Sequence, residues 1–209
     1  MPYRCPVDDP DQQPLASAAT TGRHGRPSQQ FRVRPALPRD VTQIRDLVQP
    51  YAESRILIAK ELVAYYESVQ EFVVAEDATG RLIGCGALHV MWSDLAEVRT
   101  LAVLPTWVGH GVGATILQQL LDRAARMGLR RVFCLTFEVD FFTGYGFRPI
   151  AGTPVDGTVY AELLRSHDDG VAEFLDLARV KPNTLGNTRM LLELPDPGPG
   201  TDAGSGTTL

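Results

Sequence analysis

Residues 101–114 read Leu101-Ala-Val-Leu-Pro-Thr-Trp-Val-Gly-His-Gly-Val-Gly-Ala114, an apolar strand that runs through a proline and three glycines into an amphipathic helix. A glycine-rich turn at the start of a helix exposes several backbone N–H groups, and the positive end of the helix dipole lies at the same place. This combination favours a ligand that carries a phosphate or pyrophosphate group. The alternative interpretation is a glycine-rich structural turn that binds nothing.

Two common phosphate-binding loops do not fit these glycines. A Walker loop ends in Gly-Lys-Ser/Thr, whereas Gly113 is followed by Ala114 and Thr115, so no lysine can reach the outer phosphates. A dinucleotide fingerprint requires G-x-G-x-x-G directly after a strand, whereas the spacing here is G-x-G-x-G and a proline intervenes. Both loops are excluded.

The segment from Pro105 to Ala114 resembles the acyl-CoA loop of the GNAT acetyltransferases, P-x-x-[RQ]-G-x-G-[IV]-G-[AS]. It matches at every glycine and departs at Val108, where that family usually carries Arg or Gln. The departure removes one side-chain donor and leaves the backbone N–H groups in place, so we expect weakened but retained CoA binding. The resemblance implies acetyl-CoA as co-substrate, bound by Val108, Gly109, His110, Gly111, Val112, Gly113 and Ala114.

The flanking segments extend the resemblance over about residues 31–150. The helix that follows the loop carries one apolar stripe and ends near Arg126 and Gly128, which are typical C-terminal signals. After the strand 131–136, Phe141-Phe142-Thr-Gly-Tyr-Gly-Phe147 resembles the F-[YF]-x-x-x-G-F segment that closes the GNAT cofactor site, so Phe142 is a further expected cofactor contact.

The predicted order of elements, β-α-α-β-β-β-α-β-α-β, is the order of the GNAT fold. The fold class is therefore α/β, with a mixed, mostly antiparallel sheet and helices on both faces. The resemblance implies that the two parallel strands, 97–103 and 131–136, splay apart to admit the pantetheine arm. We expect one acetyltransferase domain over residues 31–194, between disordered tails at 1–30 and 195–209.

The same resemblance assigns catalytic candidates. Backbone N–H groups of the splayed strand, at Leu101, Ala102 and Val103, would bind pantetheine and the thioester carbonyl. Glu97 is the first candidate for the base, because residues 97 and 101 should share a face of a regular strand; the alternative is an ordinary solvated glutamate. Phe142 stands where many members carry a tyrosine acid, so Thr136 becomes a candidate hydroxyl donor, unless the backbone already satisfies it.

Within that family, the chain resembles the acetyltransferase domain of the N-acetylglutamate synthases. Ile83-Gly-Cys-Gly-Ala-Leu88 is similar to I-G-C-A-A-L, and Ala96-Glu-Val-Arg-Thr-Leu-Ala-Val103 is similar to G-E-L-x-x-L-A-V. The resemblance implies acetyl transfer to the α-amine of L-glutamate or L-glutamine, the first step of arginine biosynthesis. The amino-acid-kinase-like domain of those enzymes has no counterpart in residues 1–30. Carboxylates of the substrate need cations or donors, and the candidates are Lys60, Arg99, Lys181, Asn187 and Arg189.

Two other functions stay open: acetyl transfer to a protein or another small molecule, and a CoA-binding sensor without turnover. The net charge of −5 gives no pull toward nucleic acid or anionic membranes, and neither a signal peptide nor a membrane-length apolar run is evident. We therefore expect a cytoplasmic protein with a small-molecule partner and, by analogy, a homodimer. Scattered histidines predict no metal site, and Cys85 and Cys134 are expected to be buried hydrophobic residues.

Overall fold

The computed structural model describes residues 30–58, 60–177 and 186–195. Its strands are β1 (Phe31–Pro35), β2 (Phe72–Asp77), β3 (Leu82–Val90), β4 (Leu95–Val103), β5 (Arg131–Thr136), β6 (Arg148–Pro149) and β7 (Thr188–Glu193). Its helices are α1 (Val41–Glu53), α2 (Leu62–Glu67), α3 (Val112–Arg126), α4 (Val139–Thr143), α5 (Gly157–Leu163) and α6 (Asp169–Phe174). The predicted tails lie outside these residues, apart from Gln30 and Pro195, so their boundaries stay predictions.

The strands form one mixed sheet in the order β1-β2-β3-β4-β5-β7-β6. Strand β4 runs parallel to β5, and the other neighbouring pairs in the described part of the chain are antiparallel. This arrangement confirms the predicted α/β class. In the turn at 77–80, which joins β2 to β3, the Gly80 N–H donates to the Asp77 carbonyl over 3.0 Å.

Helices cover both faces of the sheet, as predicted. Side chains alternate along a strand, so Phe72 and Val74 of β2 pack with α1, whereas Val73 and Ala75 pack with α3. A third apolar cluster joins α5 and α6 to the sheet, and there the rings of Phe133 and Phe174 meet edge to face at 5.0 Å. Three clusters therefore support one continuous sheet.

Helix α3 lies unusually close to the sheet because β3 carries two glycines beneath it. A Cβ atom at Gly84 would lie 2.8 Å from Cγ1 of Val112, and one at Gly86 would lie 2.8 Å from Cγ2 of Ile116. Any larger residue would push the helix outward. Since α3 begins directly after the glycine loop, this close packing also fixes where that loop stands relative to β4.

Element boundaries differ from the expectations at a few places. The predicted helix over 38–48 starts as a single 3-10 turn, Pro38–Asp40, and α1 then extends to Glu53 with Pro50 inside it. Residues 151–180, expected to be helical but not aligned with the family, form α5 and α6 as far as Leu177. Both short helices begin with an aspartate cap, Asp156 and Asp168 respectively.

Candidate active site

Strands β4 and β5 separate soon after they begin to pair. Their parallel register runs from Leu95 opposite Arg131 to Glu97 opposite Phe133 and stops there. Beyond that point β5 pairs only with β7 on its other side, so the β4 edge facing β5 is open over 98–103. An open edge presents backbone donors and acceptors to a ligand. The splayed pair that the sequence predicted is therefore present.

The cause of the separation is a bulge in β4 at Thr100. Its φ angle is 57°, a conformation that β-branched residues rarely adopt. Between the pairs Ala87–Arg99 and Cys85–Ala102, β4 has one residue more than β3. One extra residue bends the strand and reverses which face the following side chains occupy.

This bulge overturns one expectation from the sequence. Leu101 and Val103 pack in the core cluster under α3, whereas Glu97 lies against α6 on the other face. Glu97 and Leu101 therefore do not share a face, because the bulge interrupts the alternation that the prediction assumed. Arg99, which precedes the bulge, does share the face of Glu97, as predicted.

The glycine loop opens directly into α3. Gly109 and Gly111 have φ angles of 80° and 82°, and no atom lies within 4 Å of where their Cβ atoms would be. Gly111 is the N-cap of α3, and no side chain caps the helix, so its first N–H groups are open to an anion. Val108 is exposed beside the loop, with 64% of its surface accessible. The open glycine turn and the uncapped helix fit a pyrophosphate.

The other residues of the glycine loop hold the turn in place. Nδ1 of the His110 ring donates to the carbonyl oxygen of Val108 at 3.2 Å, within the turn. Val112 is buried in the core, and Gly113 lies against Val103, where a Cβ would meet Cγ2 at 3.5 Å. Ala114 continues the first turn of the helix. The glycine turn therefore lies at the residues where the sequence predicted it.

Phe142 and Thr136 are both buried away from open solvent. Phe142 packs against Phe141 and Phe147, each at 5.2 Å between ring centres, so its main role in the structure is in the core. The Thr136 hydroxyl oxygen accepts the Glu138 N–H at 2.9 Å. The Thr136 hydroxyl is therefore already bonded to the backbone, which is the alternative that the sequence left open. Its role as a hydroxyl donor stays a prediction.

A pocket opens at the splay, with Glu97 at its wall. The pocket is lined mainly by the segment before α2, by β4 and by α6: Ile56, Leu57, Ile58, Lys60, Glu97, Val98, Arg99, Thr100, Leu135, Gly170, Glu173 and Asn187. Only 3% of Glu97 is exposed, and its Oε2 atom accepts no hydrogen bond from the described residues. Burial raises the pKa of this carboxyl. Glu97 is thus a buried acid aimed into a cavity.

Arg99, predicted to bind a substrate carboxylate, already has two carboxylate partners. Its Nη1 donates to Oδ1 of Asp168 at 2.8 Å, and its Nη2 donates to Oε2 of Glu71 at 2.9 Å. Glu71 also meets Nδ1 of His89 at 2.7 Å. The guanidinium therefore joins α6 to the sheet, and its charge is largely compensated before any substrate arrives.

Lys60 is the other cation at the pocket. It is half-buried and makes no hydrogen bond or ion pair with any other residue that the structure describes. Burial, together with the positive charge of Arg99, lowers the pKa of its ammonium group, while Asp168, Glu97 and Glu71 act in the opposite direction. Because no described residue pairs with Lys60, an incoming carboxylate could pair with it and favour its charged form.

The remaining substrate candidates separate. Asn187 lines the pocket, as expected. Arg189 instead donates to the carbonyls of Gly152, Glu173 and Phe174, and its guanidinium lies 5.1 Å from the ring centre of Phe133. It holds the C-terminal end of α6 rather than facing the pocket, which corrects that expectation. Lys181 lies outside the described residues.

Three pocket features were missed in the sequence, and all lie in or next to α6. Asp168 pairs with Arg99, Gly170 touches Glu97, and Glu173 is a second buried acid at the pocket wall. Burial, with smaller contributions from Glu97 and Asp169, raises the pKa of Glu173 to about 8. The acidic composition of this segment was visible, but nothing in it indicated which acid is buried.

Cys85 and Cys134 are buried free thiols, as predicted, and burial raises the pKa of Cys85 to about 12. In the described ranges, no group of His, Cys, Asp and Glu side chains is arranged to hold a metal ion. None of the helices described is both long and apolar enough to cross a bilayer.

Comparison with known proteins places this site in a family. Residues 41–147 match the Acetyltransferase (GNAT) family. An "Amino-acid acetyltransferase" of Mycobacterium tuberculosis is 57% identical over 164 residues, which cover 78% of this chain and 94% of that protein. An amino-acid acetyltransferase of Pseudomonas fluorescens is 34% identical over 119 residues, 56% of this chain but only 27% of that longer protein.

Solved structures agree with this placement. Rv2747 of Mycobacterium tuberculosis, crystallised in complex with CoA and NLQ, matches with a TM-score of 0.76 and 56% identity, over 78% of this chain and 99% of that one. N-acetylglutamate synthase of Neisseria gonorrhoeae, complexed with coenzyme A and N-acetyl-glutamate, matches at a TM-score of 0.63 and 23% identity, over 79% of this chain and 35% of that one; this likeness shows the fold alone. The chain therefore belongs to the GNAT family of acetyltransferases, among the amino-acid acetyltransferases that take acetyl-CoA as co-substrate.

Proposed function

We propose that the enzyme transfers the acetyl group of acetyl-CoA to the α-amine of L-glutamate or L-glutamine, and that this is the first step of arginine biosynthesis. The observation that carries the proposal is the charge pattern of one pocket. Lys60 supplies a cation without a described partner, and Glu97 and Glu173 supply buried carboxyls in the same cavity. A free amino acid presents the complementary pair, a carboxylate and an ammonium group.

The donor half of the reaction uses backbone groups. The uncapped start of α3 and the glycine turn before it provide N–H groups for the pyrophosphate of CoA. The open edge of β4, at 98–103, provides donors for pantetheine and for the thioester carbonyl. Fixed backbone donors stabilise the negative charge that develops on that oxygen as the amine attacks. Leu101 and Val103 keep this edge in place through their packing under α3.

The acceptor half requires a neutral amine next to the thioester. The amine nitrogen attacks the carbonyl carbon, the C–S bond breaks, and the thiolate leaves with the bonding electrons. Glu97 is the proposed proton acceptor, since a carboxyl with a raised pKa is closer to the pKa expected of a base near neutral pH. Holding the amine and the thioester together supplies a further large share of the acceleration.

Replacing Lys60 by alanine tests the acceptor assignment. We expect the KM for glutamate or glutamine to rise about 10- to 100-fold, because a charge-assisted contact to the substrate carboxylate is lost. The KM for acetyl-CoA should not change. The assay follows release of free thiol from acetyl-CoA over a panel of single amino acids, with Arg45→Ala, an exposed cation of α1, as the matched control. Release with no amino acid at all would refute the proposed function and redirect the search to protein or drug amines.

Val108, where the glycine loop departs from the family pattern, gives a separate prediction for acetyl-CoA binding. Restoring a donor with Val108→Arg is expected to lower the Kd of acetyl-CoA about 3- to 10-fold, because the exposed side chain can then reach a phosphate oxygen. Titration calorimetry measures the effect. The variant Val108→Leu keeps an apolar side chain and should bind as the parent does. An unchanged Kd in Val108→Arg would show that this position does not face the cofactor.

A further inference from the structure

Two buried acids line the acceptor pocket. Glu97 is 3% exposed and Glu173 is 6% exposed, and both line the same cavity. Oε2 of Glu97 accepts no hydrogen bond from the described residues, and Nη1 of Arg99 lies 4.0 Å from it. Burying such an atom without a partner costs free energy, so an unsatisfied carboxyl beside a second buried acid in one cavity points to a ligand.

Helix α6 brings the second carboxyl to the first. A Cβ atom built on Gly170 would lie 2.7 Å from Oε2 of Glu97, so this point of the helix touches that carboxyl. Glu173 stands three residues further along and therefore on the same face of α6. The two carboxyls thus face one cavity from opposite walls, one on β4 and one on α6.

The helix is fixed at both ends, which fixes the position of Glu173. At the N-terminal end Asp168 caps α6 and binds Nη1 of Arg99 at 2.8 Å. At the C-terminal end Arg189 donates to the carbonyls of Glu173 and Phe174. These contacts bind the segment to β4 and β7 and hold it over the pocket.

We propose that the carboxyls of Glu97 and Glu173 together bind the ammonium group of the acceptor amino acid and take up the proton that it must lose before it attacks. A free α-amine reaches the enzyme mainly as an ammonium ion at neutral pH. Two carboxyls at one site match its three N–H donors and its charge, while Lys60 meets the carboxylate at the other end. This inference rests on acetyl transfer to a free amino acid, as proposed above, but not on which amino acid is used.

Each proton and electron pair in the proposed transfer has a defined destination. In the free enzyme the pair of carboxyls shares one proton and carries one negative charge. The bound ammonium gives one proton to the pair, which becomes neutral, and the amine nitrogen forms the C–N bond to the acetyl carbon. The C–S bond breaks and its electron pair goes to sulfur; the nitrogen then gives its second proton to the thiolate. The pair finally releases its extra proton to solvent.

The electrostatic surroundings agree with a shared proton. The groups that act on Glu173 are Glu97 and Asp169, which raise its pKa, and Lys60 and Arg189, which lower it, while burial is the largest cause of its rise to about 8. Glu97 is also acted on by Arg99, His89, Asp168 and Lys60, and burial again dominates in raising its pKa. Like charges at one site disfavour double ionisation, so the two acids titrate as a pair.

Glu173→Gln, which keeps the shape and removes the ionisation, tests the proposal. We expect kcat at saturating amino acid to fall about 100-fold, the KM for acetyl-CoA to stay constant, and the low-pH limb of the kcat profile to disappear or move to lower pH. Glu162→Gln removes an exposed acid of α5 and should change neither kcat nor the low-pH limb. Glu173→Asp, which keeps the acid, should retain the limb with a reduced kcat.

A second measurement does not depend on turnover. The pKa of Glu173 is raised by folding from an ordinary 4.5 to about 8, so the stability associated with its protonated form is present below 4.5 and lost as the pH rises through 8. Glutamine loses nothing over this range. The Tm of Glu173→Gln should therefore lie near that of the parent at about pH 5 and exceed it by about 10 °C at about pH 9.

The outcomes are distinct. A parent enzyme that releases thiol with glutamate or glutamine, with a Glu173→Gln variant of equal kcat and equal pH limb, overturns the role of Glu173 and leaves the proposed function standing. A lower kcat with an unmoved limb and no alkaline gain in Tm shows a merely structural role and also overturns it. A parent that is inactive with every amino acid removes the proposed function, and this inference falls with it.

Discussion

Glu97→Gln is expected to lower kcat by about 10²- to 10⁴-fold, the range over which a positioned acid–base group contributes. Glutamine has the same shape, but it cannot take a proton from the acceptor. The KM for acetyl-CoA should stay near its original value, since the proposed donor site uses the start of α3 and the open edge of β4. Steady-state kinetics with each substrate varied in turn measure both constants.

The double variant makes this prediction sharper. If Glu97 and Glu173 act as one unit, Glu97→Gln/Glu173→Gln should be about as slow as the slower single variant rather than the product of the two effects. Full multiplication of the two losses would show independent roles. A single variant Glu97→Gln with kcat within about threefold of the parent would remove Glu97 from the chemistry altogether, because the expected loss is far larger.

The sequence was enough to predict the sheet and the glycine turn before α3; that this turn holds CoA stays a proposal. Their signals are local: glycines at fixed spacing, an apolar stripe over 114–128, and strands such as 131–136, which forms with the predicted bounds. A backbone turn binds through N–H groups that every residue carries. Such a site depends on where the glycines stand, and that can be read directly from the chain.

The acceptor site depended on facts that the sequence does not contain. The bulge at Thr100 places a β-branched residue at positive φ, which no propensity indicates, and it reverses the faces of Leu101 and Val103. Arg99 was predicted as a candidate to bind the substrate carboxylate, but its partners Glu71 and Asp168 come from distant segments. Charge compensation is a tertiary property, so the role expected for Arg99 could not be judged from its position alone.

The same limit applies to α6. Residues 151–177 contain many acids, and composition alone cannot tell that Glu173 turns inward while Glu162 faces solvent beside Arg165. Arg189 was predicted from the family resemblance to bind the substrate. It instead donates a hydrogen bond to a carbonyl at the end of this helix. The features that distinguish the acceptor pocket therefore arise where α6 is attached to the sheet.

Gly170→Ala tests whether the position of the Glu97 carboxyl matters for catalysis. The new methyl group would lie 2.7 Å from Oε2 of Glu97 and 3.0 Å from both Nη1 of Arg99 and Oδ1 of Asp168. These are side-chain atoms, but the last two are held by their mutual hydrogen bond, so the carboxyl of Glu97 is the group that can give way. We expect kcat to fall about 10- to 100-fold, because a shift of about 1 Å in a reacting group is enough for such a loss.

Gly157→Ala provides the matched control for this last prediction. Gly157 also lies in a short helix, α5, but no atom stands within 4 Å of its Cβ position. Both changes add the same methyl group in the first turn of a short helix, so they differ in the contacts of that methyl group with Glu97, Arg99 and Asp168. Kinetics on the two variants, with acetyl-CoA binding measured alongside, should show a loss of kcat in Gly170→Ala alone. Equal activity in both would mean that the carboxyl of Glu97 can move without consequence, which is incompatible with its proposed role as proton acceptor.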